Sequence, residues 1–75
     1  MERYKNLGGD SGVSAYEIGA ESITVQFSDG SVYLYTYKSA GRNNIEKMKS
    51  LALAGEGLNS YIMKNVKNSY ESKLR

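Results

Sequence analysis

Three tyrosines at alternate positions, Tyr33, Tyr35 and Tyr37, are the residues of this sequence whose type and spacing best suit a binding chemistry. Aromatic rings in a row on an exposed sheet face can stack unpaired bases, at about 1–3 kcal/mol per base. A tyrosine hydroxyl can also reach a phosphate or the edge of a base. The alternative is a cross-strand aromatic ladder that stabilises the sheet, or a face covered by a helix. The spacing therefore supports a base-stacking interpretation and a purely structural one.

Basic side chains are concentrated in the second half of the chain. The net charge of the whole sequence is +2, but residues 1–37 carry −3 and residues 38–75 carry +5. A basic half could contact phosphates, and such binding would weaken steeply with salt. The same residues are also typical of the solvated face of any helix. The candidates for phosphate contact are Arg42, Lys47, Lys64 and Lys67.

Patterns for catalysis and metal binding are absent from the sequence. It contains no His and no Cys, which removes the commonest general base, the commonest metal ligand, and the disulfides or zinc clusters of many small domains. The carboxylates are scattered, and no calcium loop, phosphate loop or dinucleotide-binding motif occurs. We therefore expect no enzymatic activity, no cofactor, no metal and no small-molecule substrate.

The length of the chain allows one small domain. A chain of 75 residues buries only about 60% of its unfolded surface, so its stability should be on the order of a few kcal/mol. The apolar stretches are far shorter than the roughly 20 residues that span a bilayer, and no secretory signal is recognisable. We expect a cytoplasmic monomer with no membrane contact.

A three-stranded antiparallel meander is predicted to position the tyrosines. Apolar and polar residues alternate over 13–18, 23–27 and 32–37, which is typical of strands with one buried face. Asp29-Gly30 predicts a two-residue hairpin loop between the last two runs, because both residues tolerate positive φ. That loop would place the tyrosines on the face away from the apolar core. The predicted pairs are Gln26 with Tyr33, Thr24 with Tyr35, and Ser22 with Tyr37.

Two helices are predicted after the meander. Asn43, with Glu46 three residues later, resembles a capping pair, and the apolar residues that follow at helical spacing are Ile45, Met48, Leu51 and Ala52. Gly55 and Gly57 are predicted to end this helix, and Asn59 to cap the next. The second apolar stripe consists of Leu58, Ile62, Val66 and Tyr70. The predicted fold class is α+β, a three-stranded β-meander followed by two α-helices that cover its apolar face.

The two ends of the chain show no periodicity. Residues 1–12 are rich in glycine, and we interpret them as a flexible N-terminal arm. Residues 71–75 are interpreted as a frayed C-terminus. The folded domain is therefore predicted to span residues 13–70.

Several short motifs follow one another in a fixed order along residues 13–70. They are Ser14, Ile18-Gly19, Val25-x-Phe27, Gly30-x-x-Tyr33-x-Tyr35, and Gly57-Leu58-Asn59-x-x-Ile62 ahead of Tyr70. In this order they resemble the KTSC domain, a short module at the C-terminus of some lysyl-tRNA synthetases that also occurs as a free-standing bacterial protein. The sequence departs from that family in two places. It lacks the Val-Pro pair usual shortly after the second tyrosine, and its connection over residues 19–22 is shorter.

The resemblance implies a small α+β fold, no established catalytic activity and a suggested role in RNA binding. Carried over by position, its candidate functional residues are Tyr33, Tyr35, Asn59 and Tyr70. The predicted function is thus an accessory domain that binds RNA or tRNA through the tyrosine face and the basic helices. The alternative is a protein-interaction module that uses the same aromatic face, or an open edge strand at 13–18 or 32–37. Salt separates the two, because only RNA binding should weaken sharply with it.

Overall fold

Five strands form one antiparallel sheet in the computed structural model, which describes residues 1–9 and 11–75. The strands lie in chain order: β1 Glu2–Arg3, β2 Val13–Ile18, β3 Ser22–Phe27, β4 Val32–Thr36 and β5 Ser72–Lys73. The helices are α1 Tyr37–Ala40, α2 Arg42–Ala54 and α3 Leu58–Tyr61, which continues as a π-helical turn over Ile62–Val66. The predicted α+β fold with an antiparallel meander is confirmed, and β1 and β5 widen the sheet at both edges.

The hairpin between β3 and β4 is present, but its loop has three residues, Ser28, Asp29 and Gly30, rather than the predicted two. The Phe27 amide donates to the Ser31 carbonyl at 2.8 Å, and the Gly30 amide donates to the Phe27 carbonyl at 2.9 Å. Gly30 has φ 92°, a left-handed conformation that glycine adopts without steric cost. This arrangement is typical of a tight turn followed by a glycine bulge.

The additional loop residue shifts the register of the hairpin by one position. Tyr33 is paired with Val25 and Tyr35 with Ile23, so the predicted pairs with Gln26 and Thr24 are wrong. A shift of one residue moves every side chain of a strand to the other face of the sheet. Tyr33 and Tyr35 therefore lie on the same face as the apolar residues of β3.

The helices cover this apolar face, as predicted, and the tyrosines belong to it. From the sheet the core contains Val13, Tyr16, Ile23, Val25 and Tyr35; from the helices it contains Ile45, Met48, Ala52, Leu58, Ile62 and Val66. The buried residues of α2, and those of α3 with its π-helical turn, are the ones that the helical spacing predicts. The opposite face of the sheet carries Thr24, Gln26 and Leu34, which are only partly buried, and Val32, which is buried.

The capping interactions differ from those predicted. Asn43 lies inside the first turn of α2, whose N-cap is Gly41. The capping box belongs instead to α1: the Thr36 side chain accepts a hydrogen bond from the Ser39 amide at 3.1 Å, and the Ser39 hydroxyl accepts one from the Thr36 amide at 3.1 Å. Because Thr36 and Ser39 start a helix here, Tyr37 is the first residue of α1 and not the last of a strand.

Gly57, not Asn59, is the N-cap of α3. Gly57 has φ 82°, and no side chain caps this helix, so the prediction that Asn59 would do so is wrong. Asn59 is the second residue of α3, and its side chain lies against Gly12, where an added Cβ would be 3.2 Å from Oδ1. Of the two glycines predicted to end the first helix, Gly55 does so as the C-cap of α2, whereas Gly57 begins α3.

The N-terminal segment is packed against the domain, so the predicted flexible arm is wrong. Glu2 and Arg3 pair with β2, and the buried Tyr4 donates its amide to the Ser14 carbonyl at 3.0 Å. The Tyr4 hydroxyl accepts a hydrogen bond from the Leu58 amide at 3.2 Å. Asp10, which the predicted arm includes, lies outside the described residues.

The C-terminal residues also form part of the sheet, so the prediction of a frayed end over 71–75 is wrong. β5 pairs with Tyr33 and Leu34 of β4. The Glu71 amide donates to the Leu34 carbonyl at 2.6 Å, and the Leu74 amide donates to the Val32 carbonyl at 2.7 Å. Both strands predicted as open edges, β2 and β4, are thus partly covered. Among the described residues, no helix is long and apolar enough to cross a membrane.

Replacing Gly55 with alanine should destabilise the fold by more than conformational strain alone. Gly55 ends α2 with φ 79°, and an added Cβ would lie 2.6 Å from the Cβ of Lys5. A left-handed alanine costs about 1–2 kcal/mol, and displacing Lys5 should add about 1–3 kcal/mol. Gly30→Ala is the matched control, because Gly30 has φ +92° and nothing within 4 Å of an added Cβ. If the two variants lost the same free energy of unfolding in urea, the contact with Lys5 would add no cost, because the N-terminal segment would move aside for the new methyl group.

Candidate nucleic-acid interface

The predicted site residues are divided between two places in the fold. Tyr33, Tyr35 and Lys67 line one groove, whereas Tyr37 and Arg42 lie together where α1 meets α2. Lys47 and Lys64 are exposed on α2 and on the π-helical turn, and neither lines the groove. The structure therefore does not assemble the seven predicted residues into one surface.

The groove lies between the β3–β4 hairpin loop and the segment that follows the π-helical turn, and we call it the aromatic groove. Its volume is about 400 Å³. Its apolar lining is Phe27, Tyr33, Tyr35, Met63 and Tyr70, and its polar lining is Ser28, Asp29, Ser31, Lys67 and Asn68, with Gly12 at one side. It combines aromatic rings, a lysine, a carboxylate and an amide.

Tyr33 is at the centre of the aromatic cluster in this groove. Its ring centroid is 4.8 Å from that of Tyr70 at an interplanar angle of 63°, and 5.6 Å from that of Phe27 at 78°. Edge-to-face pairs at these distances contribute about 0.5–1.5 kcal/mol beyond their buried area. Tyr70 is 37% exposed. The cluster thus holds its rings in fixed orientations while leaving part of the aromatic surface open to a ligand.

Tyr35 does not have the exposed ring that a stacking role requires. It is 1% exposed and belongs to the core, so the prediction that it offers a face for stacking is wrong. Burial, with smaller contributions from Tyr33 and Tyr70, raises the pKa of its hydroxyl to about 12. Tyr35 therefore forms the neutral floor of the aromatic groove.

Two lysines lie beside the aromatic rings. Lys67 lines the groove directly, and the Lys73 ammonium is 5.8 Å from the centroid of the Tyr33 ring. A cation at this distance from a tyrosine face is attracted to it by about 0.5–1 kcal/mol at an exposed site. Lys73 occupies this position because β5 pairs it with Tyr33.

The sequence pattern did not indicate Phe27, Asp29 and Asn68, which line the groove, or Lys73, which lies beside the Tyr33 ring. The sequence pattern assigns Phe27 to the core face and Asp29 to the turn, and neither assignment indicates a site. Lys73 was missed because a strand of two residues has no periodicity. Only the resemblance to the KTSC domain predicted Tyr70 as a functional residue. The hairpin is the one sequence feature that pointed toward Lys73. Tyr33 lies on its second strand, so a residue that pairs with this strand at Tyr33 lies beside the Tyr33 ring.

Tyr37 and its charged neighbours form a separate cluster that joins α1 to α2. The Tyr37 hydroxyl donates to Glu46 Oε2 at 2.6 Å, and the cations of Arg42 and Lys49 lie 5.8 and 5.7 Å from its ring centroid. Lys49 also forms an ion pair with Glu46 at 3.1 Å. The hydrogen bond to Glu46 raises the pKa of Tyr37, and the same bond lowers that of Glu46. These contacts support the structural interpretation of Tyr37.

The chemistry available in the aromatic groove is recognition by stacking, hydrogen bonding and charge. Within residues 1–9 and 11–75, no group of three or more His, Cys, Asp or Glu residues could hold a metal ion. The rings of Tyr33 and Tyr70 suit a planar ligand, and the lysines suit an anionic one. A nucleotide has both properties.

Comparisons of the chain with protein-family models, with curated proteins and with solved structures gave no match. The resemblance to the KTSC domain accordingly stays a prediction.

Proposed function

We propose that this protein binds single-stranded RNA in the aromatic groove. The observation that carries the proposal is the pair of tyrosine rings, Tyr33 and Tyr70, held 4.8 Å apart beside Lys67 and Lys73. The site differs from the one predicted from the sequence, because Tyr35 forms only its floor and Tyr37, Arg42, Lys47 and Lys64 lie outside it. The motifs of residues 13–70 resemble the KTSC domain, for which RNA binding has been suggested, and this resemblance supports the same proposal.

Single strands suit this groove better than duplexes. Stacking on a protein ring requires a base that is not already stacked and paired within a helix. The aromatic groove is about 400 Å³, a size that fits one base and not the width of a duplex. Lysines beside the rings would contact the phosphates that flank the inserted base.

Removing Lys67 and Lys73 should reduce both the affinity for RNA and its salt dependence. We expect fluorescence anisotropy with a labelled RNA of about eight nucleotides to give weaker binding at about 200 mM than at about 50 mM salt. In the variant Lys67→Gln/Lys73→Gln, the decrease of log K with log salt should be less steep, by about 0.7 for each phosphate that a lysine no longer neutralises. The control Lys47→Gln/Lys64→Gln removes the same charge outside the groove and should leave that slope unchanged. A larger change in the control would place the binding surface on the helices instead.

Protein binding is the second candidate function, and a different surface favours it. Met1, Ile18 and Leu53 are exposed large apolar residues, and they line one hollow of about 430 Å³ beside Tyr16. Adjacent exposed apolar side chains are typical of protein contacts. Binding there would respond little to salt, so the anisotropy experiment at two salt concentrations separates it from RNA binding.

A further inference from the structure

The hairpin loop contributes a carboxylate to the aromatic groove. Among the described residues that line it, Asp29 is the one acidic side chain. A carboxylate is unfavourable for phosphate because the charges repel, and it accepts hydrogen bonds but cannot donate them when ionised. Its presence in a groove flanked by lysines therefore indicates which part of a nucleotide faces the loop: a base edge that carries donors.

The orientation of Asp29 is fixed by the turn. Its Oδ1 atom accepts hydrogen bonds from the Ser31 amide at 2.9 Å and from the Ser31 hydroxyl at 2.6 Å. Both bonds use the same oxygen, so Oδ2 keeps its lone pairs for donors from a ligand. The same two bonds hold the pKa of the Asp29 carboxyl below its ordinary value. Asp29 is thus an oriented, ionised acceptor at neutral pH.

We propose that the aromatic groove selects guanine, with Asp29 as the residue that reads the base. Guanine is the one RNA base with two adjacent donors, N1–H and N2–H₂, on its Watson–Crick edge. In adenine, cytosine and uracil, acceptors flank or replace those donors, and a carboxylate would repel them. The amide of Asn68, which also lines the groove, offers a donor of the kind that guanine O6 accepts. This inference rests on the proposed function.

The test is a comparison of labelled oligouridylates of about eight nucleotides that carry one central guanine, inosine or adenine. With Oδ1 occupied by Ser31, Oδ2 is the acceptor that N1–H and N2–H₂ of guanine would share. We expect guanine to bind about 10- to 150-fold more tightly than adenine, the range for hydrogen bonds to a charged acceptor. Inosine, which lacks the N2 amino group, should fall between them. Equal affinities for guanine and adenine would overturn the proposal, and no binding to any oligomer would overturn the proposed function with it.

Asp29→Asn keeps the turn but replaces the free acceptor Oδ2 with an amide nitrogen, which donates hydrogen bonds. Asparagine retains an oxygen for Ser31, and Asn-Gly is also a favoured turn sequence, so we expect the variant to fold. It should lose most of the preference for guanine while binding the adenine oligomer at least as tightly, because a negative charge is removed. Glu56→Gln removes the same charge outside the groove, at an exposed position, and should keep the preference. A preference for guanine that persists in Asp29→Asn would overturn the role of Asp29.

Discussion

Replacing Tyr4 with alanine should remove about 3–5 kcal/mol from the free energy of unfolding, the cost of truncating a large buried aromatic side chain. Tyr4 is 3% exposed. For a chain of 75 residues the total stability is about 4–11 kcal/mol at about 0.05–0.15 kcal/mol per residue. The substitution should therefore remove a large fraction of the total stability, and urea unfolding followed by circular dichroism measures the loss.

Two further variants separate the contributions of Tyr4. Tyr4→Phe keeps the ring but leaves the buried Leu58 amide without its acceptor, which should cost about 1–3 kcal/mol. Leu7→Ala lies in the same segment, but Leu7 is 64% exposed, so its substitution should change the stability by less than about 0.5 kcal/mol. A loss below about 1 kcal/mol for Tyr4→Ala would restore the interpretation of residues 1–12 as an arm.

Removing both rings of the aromatic pair should abolish most of the affinity for RNA. The variant Tyr33→Leu/Tyr70→Leu keeps apolar volume at the edge of the core but leaves no ring on which a base can stack. Since a stacked base contributes about 1–3 kcal/mol, we expect affinity in the anisotropy assay to fall by about 5- to 150-fold. Circular dichroism would establish that the variant is folded, because Tyr33 is partly buried against the core.

Two controls make that result specific. Tyr33→Phe/Tyr70→Phe retains both rings and should keep an affinity close to that of the original protein. Tyr37→Leu removes a tyrosine of the same predicted row that lies outside the aromatic groove, and it should leave RNA affinity unchanged. If Tyr37→Leu weakened binding as strongly as the double leucine variant, the tyrosine row of the sequence prediction would be the better site.

The parts of the fold that could be predicted are those in which local periodicity and burial agree. Ile45, Met48 and Ala52 are spaced for one face of a helix and are buried there. Leu58, Ile62 and Val66 recur every fourth residue and are also buried. For these two segments the spacing of the apolar residues is sufficient to predict which face is buried, because each forms a helix with one apolar face that must be covered.

The register of the hairpin could not be predicted from its turn sequence. Asp29-Gly30 fits a two-residue loop, but a glycine also fits the left-handed last position of a three-residue loop. The two loops differ by one residue in register, and a tyrosine suits either face because it has an apolar ring and a polar hydroxyl. Tertiary packing therefore determines on which face of the sheet Tyr33 and Tyr35 lie. It also determines where the candidate site is located.

The short outermost strands have a consequence for the protein at high concentration. A long sheet edge exposes a row of unpaired amides and carbonyls on which another chain can assemble. β1 and β5 are each two residues long, and Glu2, Arg3 and Lys73 place charge on both margins. Because short, charged edges are poor templates for intermolecular pairing, this small sheet should resist edge-to-edge aggregation.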